Sequence, residues 1–130
     1  TYTGKRFQDH FAEFIAKYHF EDMYSATFYP YESLEEYWAY MSAHIDYNRY
    51  RAPVGKPIMQ LHDLLEGTDH FVITTNVDHQ FQKAGFDTSK LFCTQGDYGL
   101  WQCSVPCHDK TYDNEEAVGE MLSALATLEA

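Results

Sequence analysis

The stretch Phe71-Val72-Ile73-Thr74-Thr75-Asn76-Val77-Asp78 decides the fold class. Its first half is a short apolar, β-branched run, the composition of a strand buried on both faces. We expect that strand over His70 to Thr75. Its second half leaves the strand through Asn76 and Asp78. Ligands of open α/β sheets collect beyond the carboxyl ends of strands, so these two residues stand where chemistry is first sought. The Asn76 amide offers an acceptor and two donors, and Asp78 offers a carboxylate. They either grip ligand hydroxyls or only cap the next short helix, and spacing alone leaves both readings open.

Downstream, a short helix from about His79 to Ala84 is closed by Gly85. Strands follow at about Leu91 to Thr94 and Leu100 to Cys103. The turn Thr94-Gln95-Gly96-Asp97-Tyr98-Gly99 again lies at a strand's carboxyl end, as a second candidate site element or an ordinary tight turn. A last helix is capped by Asp113 and Glu116 and carries Val118, Met121, Leu122, Leu125 and Leu128 on one face.

Upstream, Phe7, Phe11, Phe14, Ile15 and Tyr18 recur at helical spacing and predict one helix from Phe7 to about Tyr18. An aromatic, irregular segment ends at Pro30. Ser33 and Glu36 read as a capping box opening a helix with Leu34, Tyr37, Trp38, Met41 and Ile45 inward. Pro53 and Gly55 end that pattern, and Ile58, Leu61, Leu64 and Leu65 mark a third helix stopped by Gly67.

Five helices and two or three short strands are too few for a parallel sheet buried on both faces. With no initiating Met at Thr1, this predicts an internal piece of a larger α/β domain. No G-x-G-x-x-G is present, so a glycine-rich phosphate loop is expected outside these residues.

The net charge of −11, from 20 acidic and 9 basic residues, does not steer toward a phosphate backbone, so nucleic acid is excluded as the expected partner. No apolar run approaches the roughly 20 residues of a membrane helix. Cys93, Cys103 and Cys107 are too few for a disulfide framework, which points to the cytoplasm. Cys93 sits on an apolar strand, as a small buried hydrophobe would. Cys103-Ser104-Val105-Pro106-Cys107-His108 could begin a zinc site, but no second cysteine pair and no histidine beyond His108 follow to complete one within this chain. His10, His19, His44 and His62 form no H-E-x-x-H pair.

Taken together, Thr74-Thr75-Asn76-Val77-Asp78 followed by Ala84-Gly85 resembles the sirtuin pattern T-Q-N-[IV]-D, short helix, A-G. Gln95-Gly96 stands where that family has H-G, and Cys103 and Cys107 stand where sirtuins begin their zinc ribbon. The match extends to Thr1 through Phe7, to Glu36-Tyr37-Trp38, and to Phe92 through Trp101. These are similar to the macrodomain-linked sirtuins of microbes, which carry glutamine in place of the family histidine.

The resemblance implies a single, incomplete sirtuin-type domain over residues 1–130, Rossmann-like in its strands. About 7–67 would be its helical part, 70–102 its strands and loops, and 103–130 the start of a zinc module with the following helix. It implies NAD as substrate, held by Asn76, Asp78 and Gln95, with Arg6 and Phe7 on a flexible cofactor loop. Asn76 and Gln95 would be catalytic, and Cys103 and Cys107 would hold zinc at a site completed outside this chain. The implied activity is transfer of ADP-ribose to an acceptor protein, a lipoyl-carrier protein, alongside a macrodomain protein. Thr75 replaces the family's glutamine. Gln95 replaces the histidine that serves as base in deacetylation, and an amide cannot take up a proton at neutral pH. An NAD-dependent deacylase and a non-catalytic NAD- or ADP-ribose-binding module are the alternative readings.

Overall fold

The computed structural model describes the backbone of residues 2–128 and the side chains of residues 2–127. Thr1, part of the expected cofactor loop, and the Leu128 side chain lie outside that set. The chain forms two units, one made of residues up to His44 with those from Val118 onward, the other of Ile45–Ala117.

The first unit is helical. The single helix expected from Phe7 to Tyr18 is two helices, α1 (Lys5–His10) and α2 (Ala12–Tyr18). They part at Phe11, whose backbone leaves the helical region at φ −129. Phe11 is almost wholly buried, against Phe7, Phe14 and Tyr40. Burying that ring on several aromatic neighbours sets the angle at which the two short helices meet. A third short helix, α3 (Met23–Thr27), is capped by Asp22, whose carboxylate accepts from the Ser25 amide at 2.7 Å.

Helix α4 (Leu34–Ile45) begins as predicted, with the Glu36 amide donating to Ser33 Oγ at 3.1 Å. The Glu36 carboxylate, however, accepts from Lys17 Nζ at 2.6 Å and Tyr18 Oη at 2.8 Å. Its inner face also differs from the expected one. Leu34 is 73 % exposed, while Tyr40, Ser42 and His44 are fully buried. Tyr40 explains the rotation, because its hydroxyl donates to the Met23 carbonyl at 2.8 Å and so seats that side of the helix inward. Helix α7 (Glu115–Leu128) contributes Val118 to this unit's core.

The second unit starts with a π-helical turn, Asp46–Arg51, that the periodicity did not announce. Helix α5 (Lys56–Leu65) follows, with a proline in its first turn. Strands β1 (Val72–Thr74) and β2 (Leu91–Cys93) then pair in parallel, with Thr74 opposite Cys93. The short helix α6 (Gln80–Lys83) joins them, and Phe81 and Phe86 are buried around it. The expected burial on both strand faces is not seen. Thr74 is buried and Ile73 is 70 % exposed, the period-two alternation of a sheet covered on one side. Strand β3 (Leu100–Trp101) is shorter than expected and pairs antiparallel with β4 (Tyr112–Asp113).

Candidate functional site

Parallel pairing of β1 and β2 delivers both carboxyl ends side by side. The loop 75–79 leaves one strand and the loop 94–99 leaves the other. Short backbone bonds join them. The Thr94 amide donates to the Thr74 carbonyl at 2.9 Å, and the Tyr98 amide donates to the Val77 carbonyl at 2.8 Å. Asn76 and Gln95 are exposed on these two loops, and Asp78 is half-buried. The Asn76 amide donates to Thr74 Oγ1 at 2.9 Å, which sets the backbone where the loop begins. Asp78 Oδ1 accepts from the Gln80 amide at 3.2 Å, so this carboxylate caps α6 through one oxygen. Asn76 and Asp78 thus lie on the loop beyond β1 and Gln95 on the loop beyond β2, at the same end of the parallel pair.

Joined to these loops is a part-buried charge cluster that the sequence reading did not single out. Asp97 Oδ1 accepts from Arg49 Nε at 2.6 Å and from the Gly99 amide at 2.7 Å. Its other oxygen accepts from His79 Nδ1 at 2.5 Å. Burial pushes the Asp97 carboxyl up. The bonds from Gly99, Arg49 and His79 outweigh it and hold the group below its ordinary value. With Asp97 ionised, the shared proton sits on His79 Nδ1. His79 takes the left-handed conformation at φ 62, which costs a non-glycine residue roughly 1 kcal/mol. Gly99 has no room for a side chain, since a Cβ there would stand 2.9 Å from Arg49 Nε and 3.0 Å from Asp97 Oδ1.

The π-helical turn supplies a second tie. The Tyr50 hydroxyl donates to Asn114 Oδ1 at 2.5 Å, and Asn114 Nδ2 donates to the Tyr98 carbonyl at 2.8 Å. Lys83 Nζ donates to the carbonyls of Tyr50 and Ala52, at 3.2 and 3.1 Å, fixing the end of that turn. A glutamine, an aspartate and two glycines in one hexapeptide were the available signal for this loop. Arg49 had none, because its partner is 48 residues away.

The β3–β4 ribbon brackets the cysteine segment. Cys107 Sγ lies 3.4 Å from Cys103 Sγ, and His108 Nε2 lies 3.8 Å from Cys103 Sγ. All three donor atoms fall within 4.8 Å of one another. Tetrahedral zinc with its usual bond lengths separates its ligand atoms by about 3.5–3.8 Å, slightly more than the 3.4 Å of the sulfur pair and in line with the 3.8 Å from Cys103 Sγ to His108 Nε2. The hydrogen bonding of His108 fits less well. Its Nδ1 accepts the Lys110 amide at 3.2 Å, which leaves the proton on Nε2, the nitrogen nearest the sulfurs. The hydrogen bond with Cys107, and burial after it, raises the Cys103 thiol.

Arg6 and Phe7 belong to the helical unit. Arg6 is exposed on α1, and Phe7 is 3 % exposed in the core beside Phe11. Among the described residues no helix is long and apolar enough to cross a membrane.

No family model matches the chain. A curated protein of Staphylococcus aureus (strain Mu50), described as a protein ADP-ribosyltransferase, is 44 % identical over 124 residues. That alignment takes in 95 % of this chain, which spans 39 % of the relative's length. The chain is thus homologous to part of a protein ADP-ribosyltransferase.

Proposed function

We propose that this chain is part of an NAD-dependent protein ADP-ribosyltransferase of the sirtuin type. The observation that carries the reading is that Asn76, Asp78 and Gln95 stand on the two loops leaving the paired carboxyl ends of β1 and β2, in a chain 44 % identical to part of a protein bearing that activity's name. NAD would supply an ADP-ribosyl group whose bond to nicotinamide breaks as an acceptor bonds to the ribose carbon.

Exposed amides on two tied loops fit a hydroxyl-rich ligand, because each amide both donates and accepts. Asn76 and Gln95 would hold ribose hydroxyls, with the outer oxygen of Asp78 as a further acceptor. Gln95 orients and does not deprotonate, which favours transfer over deacylation. The acceptor under this reading is a lipoyl-carrier protein, with a macrodomain protein as companion. Zinc would be held by Cys103 and Cys107 together with ligands from outside this chain.

The test is substitution in the full-length protein. Asn76→Ala and Gln95→Ala should each slow transfer by about a hundredfold, the usual effect of removing one well-placed transition-state donor. Transfer that survives both unchanged would remove these residues from the site.

A further inference from the structure

The geometry points to Asp97 and His79 as positioning residues. They form a clamp, anchored by Arg49, that holds the Asn76 loop against the Gln95 loop. This rests on the transferase reading for what the clamp serves, though not for the clamp itself.

Four observations converge on it. Asp97 sits on the Gln95 loop and reaches His79 on the Asn76 loop at 2.5 Å, in addition to the backbone bonds from Thr94 to Thr74 and from Tyr98 to Val77. Its side chain is only 13 % exposed and that of Arg49 16 %, so water screens the contacts weakly. His79 accepts left-handed backbone strain in the position that lets its ring reach Asp97. Gly99, whose amide completes the carboxylate's set of donors, sits where any Cβ would push Arg49 away. One carboxylate thus ties together the π-helical turn, the Asn76 loop and its own loop. The other charged groups nearby are Asp78, engaged by the Gln80 amide, and Lys83, engaged by two carbonyls.

The role required of His79 is a single N–H donor at Nδ1. Asparagine offers one at nearly the same place, and it tolerates the left-handed conformation better than most residues. This gives a conservative variant that separates positioning from proton transfer.

The experiment compares His79→Ala, His79→Asn and Asp97→Asn in the full-length protein. Two readouts are taken: hydrogen exchange at the Tyr98 amide, and nicotinamide release from NAD at saturation with the lipoylated carrier protein present as acceptor, with KM measured beside it. His79→Ala and Asp97→Asn should speed Tyr98 exchange by about tenfold or more as the loops part. They should lower kcat by about a hundredfold with KM little changed, the effect of misplaced groups. His79→Asn should stay within about threefold of the parent on both readouts, since a retained donor keeps the geometry. If His79→Asn is as impaired as His79→Ala, the imidazole does proton work and the positioning role is wrong. If exchange and release are unchanged in His79→Ala, there is no clamp. Absence of nicotinamide release from the unmodified protein would overturn the transferase reading, while the exchange data would still decide the clamp. Should Asp97→Asn fail to fold, the two His79 variants carry the test.

Discussion

Lowering the pH should destabilise the helical unit through one residue, His44. Its side chain is fully buried on α4, and burial pushes it down to about 4. An unfolded chain returns it to about 6.5. Between those values the unfolded state binds the proton and the folded state does not, so stability is complete above about pH 6.5 and falls as the pH drops toward 4. The gap is about two and a half units at 1.36 kcal/mol each, or about 3 kcal/mol lost in all. That is a large share of the roughly 5–15 kcal/mol that holds a domain together. Urea unfolding at steps from about pH 7.5 to 4.5 measures it, with the slope near 1.4 kcal/mol per pH unit inside the window. Trp38 lies in the same unit, so a Trp101→Phe background makes its fluorescence the local signal. His44→Phe should flatten the dependence, although it also gives up the contact between Tyr40 Oη and His44 Nδ1 at 3.2 Å. An unchanged slope in His44→Phe would refute the argument. So would a midpoint indifferent to pH across the window.

Further predictions concern the second unit. Gly99→Ala should displace Arg49 and cost about 2 kcal/mol, the scale of one charge-assisted hydrogen bond lost from a part-buried site, read as a lower urea midpoint. A midpoint equal to the parent's would mean that the turn relaxes around the added methyl. Zinc analysis of the full-length protein should give one ion per chain, lost in Cys103→Ser and in Cys107→Ser and kept in His108→Ala. Loss in His108→Ala would make that imidazole a ligand in spite of its bond to the Lys110 amide.

The parts of the fold visible in the sequence are those with local causes. The β-branched run before Asn76 marked β1, and the Ser33 cap marked the start of α4. The apolar spacing of Val118, Met121, Leu122 and Leu125 marked α7. The loops that carry Asn76, Asp78 and Gln95 were legible for the same reason, since strand, loop and glycine turn are neighbours in the chain. What was not legible depends on partners far away in sequence. Phe11 looked like one more position on a continuous helix, and its aromatic neighbours from α4 turn it into a break. Tyr40, absent from the expected inner face, faces inward because of the Met23 carbonyl. Two-residue β4 is too short for periodicity to register. The Arg49–Asp97–His79 cluster joins three segments that no spacing rule connects. Its one local trace was an aspartate two residues before a glycine, the pattern of an Asx turn.

Product analysis is the sharpest test of the proposed transfer of ADP-ribose from NAD. The full-length protein is incubated with NAD labelled in its adenylate, a lipoylated carrier protein and, in a parallel reaction, an acyl-lysine peptide. Transfer should put label on the carrier protein, release one nicotinamide per label attached, remove no acyl group from the peptide, and be lost in Gln95→Ala. Deacylated peptide with an unlabelled carrier, or no nicotinamide released in either reaction, would contradict it.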